Sequence, residues 1–269
     1  MCLILFSLAH HPGYPLIIAA NRDERYARRS APLGFWPDAP HVAAGRDVEA
    51  GGTWLGITRE GRWAALTNFR QPGSYRGDAP SRGRLVSDFL LGTMTPAQYL
   101  AEVEPTAREY NGFNLLAGNL GEIHYLSNCD GGARRIEPGV HGLSNHLLNT
   151  PWPKVALGRK YLEGLPLGSS AAIIESLLER LRDATRPADA DLPDTGIGPD
   201  RERALSPPFI EAEHYGTRAS TVIVVNAHGE VTIRERRFGP FGTPLGSSEL
   251  DFRLDADPLP ASADLRHTA

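Results

Sequence analysis

The chain opens with two apolar runs, Cys2 to Leu8 and Leu16 to Ala20, separated by a polar turn that contains Pro12-Gly13. Each run is too short for a stable helix and is bounded by turn residues, so the pair predicts a hairpin of buried strands. A chain that begins inside a sheet must use the rest of its length to cover that sheet. Further strand pairs are predicted for Thr53 to Thr58 with Arg62 to Asn68 around Glu60-Gly61, and for Phe113 to Ala117 with Glu122 to Leu126 around Gly118 to Gly121. Another strand is predicted to run into His141 to Asn145, and a late hairpin joins Thr221 to Val225 and Val231 to Arg236 across Asn226 to Gly229. Between these lie helical signals. Ser81 is placed to cap a segment ending near Leu91, Thr95-Pro96 puts a capping hydroxyl before a first-turn proline, and Ala171 to Leu181 carries Ile173, Ile174, Leu177, Leu178 and Leu181 on one face. Strands at both ends with helices between them point to a layered α+β domain, not to alternating βαβ units.

Composition sets the class. With 41% hydrophobic and 22% charged residues in 269, the chain can bury a sizeable core, and a single domain over residues 1–255 is the simplest reading. The net charge of −4 and the absence of any basic run exclude an electrostatic footprint for nucleic acid. No stretch approaches the roughly 20 apolar residues of a membrane span, and the apolar start lacks a basic leader segment, so a cytoplasmic protein is expected. Two cysteines, Cys2 and Cys129, exclude a disulfide framework. Residues 183–208 are rich in Pro, Asp and Gly and read as a lid-like surface segment, and residues 256–269 read as a loose tail. Lysine occurs only at Lys154 and Lys160, and nothing in the pattern ties either to chemistry.

Cys2 is the first candidate for chemistry. Removal of Met1 would expose a thiol and an α-amine on one residue, a nucleophile with its own base. The alternative is that position 2 simply holds a small residue entering a buried strand. Asn21-Arg22-Asp23-Glu24-Arg25 follows directly on the second apolar run, so these charges sit beside the strand that bears Cys2. An arginine there would favour the thiolate and an aspartate would hold an ammonium; a solvated charged turn is the competing reading. The histidines show no metal-ligand spacing, so no metal and no cofactor is expected. A G-x-S-x-G elbow is absent.

The motifs also resemble a known family. Met1-Cys2, Ala20 to Arg25, Phe35-Trp36, Gly51 to Gly56 and Thr67-Asn68-Phe69-Arg70 are similar to the signature of the NRDE, or TANGO2-like, family, as are Gly142 to Asn145, Thr150 to Lys154 and Thr217 to Thr221. That family is similar in arrangement to the N-terminal-nucleophile hydrolases, in particular the choloylglycine hydrolase and penicillin V acylase group. The resemblance implies a four-layer αββα sandwich and, in order, a site of Cys2, Arg22, Asp23, Asn68, Asn145 and Arg218. One departure concerns the first arginine: the enzyme group carries it three residues before the aspartate, where this chain has Ala20, which leaves the direction of Arg22 open. The implied activity is hydrolysis of a small linear N-acyl amide. The alternative is a carrier or organiser that binds haem, acyl-CoA or another lipid in the same pocket, since the TANGO2-like family is associated with Golgi organisation, lipid metabolism and haem handling.

Overall fold

The alternation of apolar residues on β1 (Cys2–His11) and β2 (Tyr14–Arg25) sends Ile4, Phe6, Leu8, Ile18 and Ala20 to one face, and Leu3, Leu5, Ile17 and Ala19 to the other. Both faces are apolar, so this hairpin has to be covered on two sides. The structure is a computed structural model that describes residues 2–255; the tail expected at 256–269 lies outside the described residues.

The second sheet is formed by β3 (Ser30–Trp36), β4 (Ala39–Asp47), β5 (Leu55–Thr58), β6 (Trp63–Asn68), β7 (Phe113–Gly118), β8 (Ile123–Ser127) and β9 (Arg134–Ile136), each strand antiparallel to the next. The chain then returns to the first sheet with β10 (Gly139–Leu143), β11 (Tyr215–Val225), β12 (Glu230–Phe238) and β13 (Pro244–Arg253), giving the order β10-β1-β2-β11-β12-β13. The hairpin that opens the chain is therefore central in its sheet. The two sheets pack face to face over a core around Phe6, Ile18, Trp63, Leu116, Tyr125 and Ile233. Helices α1 (Gly83–Leu91) and α2 (Pro96–Val103) cover the outer face of the second sheet. On the first sheet, α3 (Pro153–Glu163) and α4 (Ser170–Leu181) do the same. The expected αββα sandwich is what forms. Burial of Phe6, which is fully enclosed, contributes roughly 1.5–3 kcal/mol.

Several local expectations change. The β2 strand does not end at Ala20 but continues to Arg25, so Asn21 to Arg25 are ladder residues and not a turn; their polar side chains are retained in a strand because partners surround them. Arg82, not Ser81, occupies the N-cap of α1 without a side-chain hydrogen bond, while the Ser81 carbonyl accepts from the Arg84 N–H. Thr95 does cap α2, and with Gln98 it completes a capping box. Residues 183–208 are more structured than their composition suggests. They contain the short helix α5 (Pro199–Ala204), and its Glu202 is buried against Arg70 and Thr195. Among the described residues no helix is long and apolar enough to cross a membrane.

The Gly52 loop locks the start of α1 to the second sheet. A methyl at Gly52 would meet the Gly83 carbonyl carbon, its oxygen at 2.5 Å and the Arg84 nitrogen at 2.8 Å, all of them backbone atoms that cannot swing away. Gly52→Ala is expected to cost about 1–3 kcal/mol as overpacking. Thermal unfolding should show a Tm lowered by several degrees, and an unchanged Tm would mean that this contact is looser than described.

Candidate functional site

Register places Cys2 directly across the ladder from Arg22, so the two side chains share the face that looks between the sheets. Asp23, one residue on, belongs by alternation to the opposite face. It nevertheless lines the same cavity at the sheet end, where a bulge at Arg218 offsets β11, with Thr217 opposite Asp23 and Ala219 opposite Arg22. This cavity, about 240 Å3, is lined by Cys2, Arg22, Asp23, Glu24, Arg28, Asp47, Trp54, Asn68 and Arg82 among others. A second cleft of about 560 Å3 adjoins it, with Glu24 and Asn68 in both walls. Its lining is more apolar, with Phe69, Leu205, Ile210, Ala212 and Tyr215, and Asn145, Arg70, Arg186 and Arg201 also contribute.

The structure thus brings five of the six expected residues to one pair of adjoining cavities. Cys2, Arg22 and Asp23 line the smaller cavity, Asn145 lines the larger, and Asn68 belongs to both. Arg218 lines neither. It is the half-buried extra residue of the bulge, and its Nη1 donates to the Arg25 carbonyl at 3.0 Å and the Arg28 carbonyl at 2.8 Å. It braces the turn that carries Arg28 into the cavity.

The two asparagines differ. Asn145, 1% exposed, donates from Nδ2 to the Asn68 carbonyl at 2.8 Å, and its own carbonyl accepts from the Arg70 N–H at 2.7 Å. The Asn68 side-chain amide makes no hydrogen bond among the described residues and stands at the junction of the two cavities. Beside them, Ser144 Oγ donates to the Cys2 carbonyl at 3.0 Å, which fixes the chain start against β10.

The Arg22 guanidinium, 6% exposed, lies 4.4 Å from the centre of the Trp54 ring and 3.8 Å from Asp47 Oδ2. Arg28 holds the same Asp47 oxygen at 2.6 Å. Thr217 Oγ1 donates to Asp23 Oδ1 at 2.7 Å, and the Tyr215 hydroxyl donates to the Asp23 carbonyl at 3.1 Å. Burial pushes the Cys2 thiol up from its ordinary value; a hydrogen bond from the Asp23 backbone and the charge of Arg22 oppose this. Burial also raises the Asp23 carboxyl, against the pull of Lys154, Thr217 and Arg22.

Sequence reading missed Lys154. Its ammonium, on a side chain 3% exposed, donates to the Leu205 carbonyl at 2.9 Å and lies within electrostatic range of Asp23, Cys2 and Glu202. Burial lowers it to about 8, with Asp23 opposing. The available signal was its rarity: an arginine-rich chain with two lysines has placed one of them in the interior. Arg28, Asp47 and Arg82 were also missed, because the strand and loop ends that bring them together are far apart in sequence.

A lysine depressed by burial is less stabilising while it is charged. Between about pH 8, its folded value, and its usual value near 10.5, the unfolded chain binds the extra proton, so stability rises with pH across that window. Relative to Lys154→Met, the wild-type chain is therefore expected to gain up to roughly 2–3 kcal/mol from pH 8 to pH 10 in urea unfolding. A flat difference curve would place the ammonium in a more solvated site.

Residues 1–240 match the family described as Transport and Golgi organisation 2. The mouse Transport and Golgi organization 2 homolog is 38% identical over 256 residues, covering 88% of this chain and 92% of that protein, and the human homolog is 38% identical over 257 residues with the same coverage. The fruit-fly protein of that name is 29% identical, covering 86% of this chain and 90% of its own length. Among solved structures, the chain is similar to an N-acylethanolamine-hydrolyzing acid amidase ortholog from Caenorhabditis elegans (14% identity, 83% of this chain and 92% of that one, TM-score 0.49). It is also similar to penicillin V acylase from Agrobacterium tumefaciens (14% identity, 86% and 82%, TM-score 0.42). The family match spans every strand except β13 and every residue that lines the two cavities, and the chain belongs to the Transport and Golgi organisation 2 family.

Proposed function

We propose that the chain, once Met1 has been removed, is a cysteine amidohydrolase of small linear N-acyl compounds. The observation that carries this reading is the placement of Cys2: it heads a central strand, opposes Arg22 in register, and opens on a polar cavity joined at Asn68 to a larger apolar cleft. In this reading the Cys2 thiol passes its proton to its own α-amine and the sulfur attacks the amide carbonyl. Asp23 holds the resulting ammonium. The Asn68 amide donates to the developing oxyanion, and Asn145 positions the strand end that carries it. Collapse of the tetrahedral intermediate expels the amine, which takes the proton from the ammonium, and leaves an acyl thioester on Cys2. Water then attacks the thioester, releasing the acid and restoring the thiol. Arg218, outside both cavities, acts by bracing Arg28 and not by contact with substrate. Leu205, in the segment 183–208, forms a wall of the acyl cleft.

A second reading has its own support. Burial raises the Cys2 thiol, which disfavours the thiolate, while the 560 Å3 cleft has room for an acyl chain without any reaction. A carrier of haem, acyl-CoA or another lipid would use the same space.

The two readings separate by experiment. Intact mass is expected to show loss of Met1 and, with an N-acyl substrate library, an acyl adduct on Cys2. Cys2→Ser should remain folded and lose most turnover, because serine is the weaker nucleophile at neutral pH. Asn68→Ala should lower kcat by about 10²–10³-fold with little change in KM, the signature of a lost oxyanion donor. Retained Met1 with no adduct, together with haem or acyl-CoA binding that is equal in the wild type and Cys2→Ser, would replace the hydrolase with the carrier.

A further inference from the structure

The cavity beside Cys2 is lined by both carboxylates and guanidinium groups. Three carboxylates line it, and each already receives hydrogen bonds from the protein. Asp23 accepts from Thr217, and Glu24 accepts from the Arg25 N–H. Asp47 accepts from the Arg28 side chain and from the N–H groups of Glu49 and Ala50. The cationic side is not balanced in this way. Arg82 donates from Nη1 to the Gly112 carbonyl at 2.8 Å and has no carboxylate partner among the described residues. Arg22 is 6% exposed, and its Nη1, buried in the cavity wall, has no acceptor among the described residues.

The approach to α1 points the same way. Ser81, Arg82 and Gly83, the residues that lead into α1, line this cavity. The helix has no side-chain cap and no acidic residue in its first turn, and its Arg84 and Leu85 N–H groups bond back to the Ser81 and Arg82 carbonyls, so what it offers the cavity is the positive end of its dipole and not free N–H groups. A helix start of this kind, with one guanidinium beside it and a second buried donor behind it, favours an anion.

We infer that the Cys2 cavity contains an anion subsite, built from the start of α1, Arg82 and Arg22, that takes a carboxylate or phosphate group on the ligand. Taken with the hydrolase reading, on which it rests for the position of the bond to be broken, this divides the substrate in two. The acyl chain lies in the cleft past Asn68, and the amine half carries the acid into the smaller cavity. The substrate class is then an N-acyl amide whose amine portion is acidic and small enough for about 240 Å3.

The test compares two reagents that differ in one group. Iodoacetate and iodoacetamide alkylate the same thiol, so the ratio of their rates at Cys2 cancels any change in thiol ionisation. Peptide mapping separates Cys2 from Cys129. In the full processed chain the iodoacetate rate is expected to exceed the iodoacetamide rate, and Arg82→Gln should lower the ratio by roughly tenfold. Protection of Cys2 by N-acetylglycine but not by inorganic phosphate identifies the anion as a carboxylate, and the reverse identifies a phosphate. A ratio that is unchanged by Arg82→Gln while Cys2 still reacts overturns the subsite and leaves the nucleophile standing. If Cys2 reacts with neither reagent, the hydrolase reading fails, and the subsite is decided by calorimetric titration. Binding of N-acetylglycine or inorganic phosphate tighter than neutral N-acetylglycinamide, lost in Arg82→Gln, supports it; equal or absent binding of all three overturns it.

Discussion

The site depends on a polar strut that crosses between the two sheets at the end where Cys2 emerges. Thr67 Oγ1 donates to the Ser144 carbonyl at 2.6 Å, and Asn114 donates to Thr67 at 2.9 Å while accepting from the Tyr125 hydroxyl at 2.7 Å. From the same stretch, Ser144 holds the Cys2 carbonyl and Asn145 holds that of Asn68. Apolar packing between sheets is non-directional and would permit sliding. A chain of buried hydrogen bonds does not, because each unmade bond costs about 1–3 kcal/mol. The strut therefore fixes the distance between the strand that carries Cys2 and the strand that carries Asn68.

How much of this was legible follows from which forces act locally. The opening hairpin, the β5–β6 pair, the β7–β8 pair and α4 were readable because their apolar periods and turn residues lie within a short window. By contrast, β4 runs through Ala43-Ala44-Gly45, small residues without strand bulk, and α3 buries Lys154 and Gly158 on its inner face, so neither shows a clean period. Gly158 is there because the helix lies against Leu5, where an added methyl would come within 2.6 Å. The layered architecture and the Cys2 and Asn21 to Arg25 pairing were thus available from sequence, whereas the reach of β2 through the charged motif was not. A run of Asn, Arg, Asp and Glu is strand-forming only if partners wait on every side. Asn21 finds the Leu181 and Pro208 carbonyls and Ser220, and Arg22 finds Trp54. Those partners come from the far end of the chain or across the core. Arg218 is the converse case: its place in the ordered motif set suggested the pocket wall, and as the bulge residue of β11 it binds the Arg25 and Arg28 carbonyls beside that wall.

Charge behind the site follows the same logic of mutual dependence. Lys154, Asp23, Arg70 and Glu202 are all buried within one region, and two interactions, Arg70 with Glu202 and Lys154 with the Leu205 carbonyl, tie α5 and its flanking segment to the layer that supports Cys2. Removing one partner of a buried pair leaves an uncompensated charge and costs about 3–5 kcal/mol, so the segment 183–208 is anchored more firmly than its Pro, Asp and Gly content implies. Its outer part, where Arg203 meets Asp189 and Asp200 at the surface, is held by weaker exposed pairs. One segment thus has a fixed inner face that shapes the cleft and an outer face free to vary.

That anchoring bears on why Cys2 is buried among charges and not simply among apolar residues. A thiol at the head of a central strand, desolvated and next to Asp23, resists ionisation. The same arrangement lets a nearby positive group act at low dielectric, where its effect on the sulfur is larger than in water. Arg22 supplies such a group, and Trp54 and Asp47 hold it in place. An α-ammonium on Cys2, held by Asp23, would supply a second. In the hydrolase reading, this environment would be poorly suited to a solitary thiolate and well suited to one formed together with its counter-charge, so reactivity would turn on whether Cys2 carries a free α-amine.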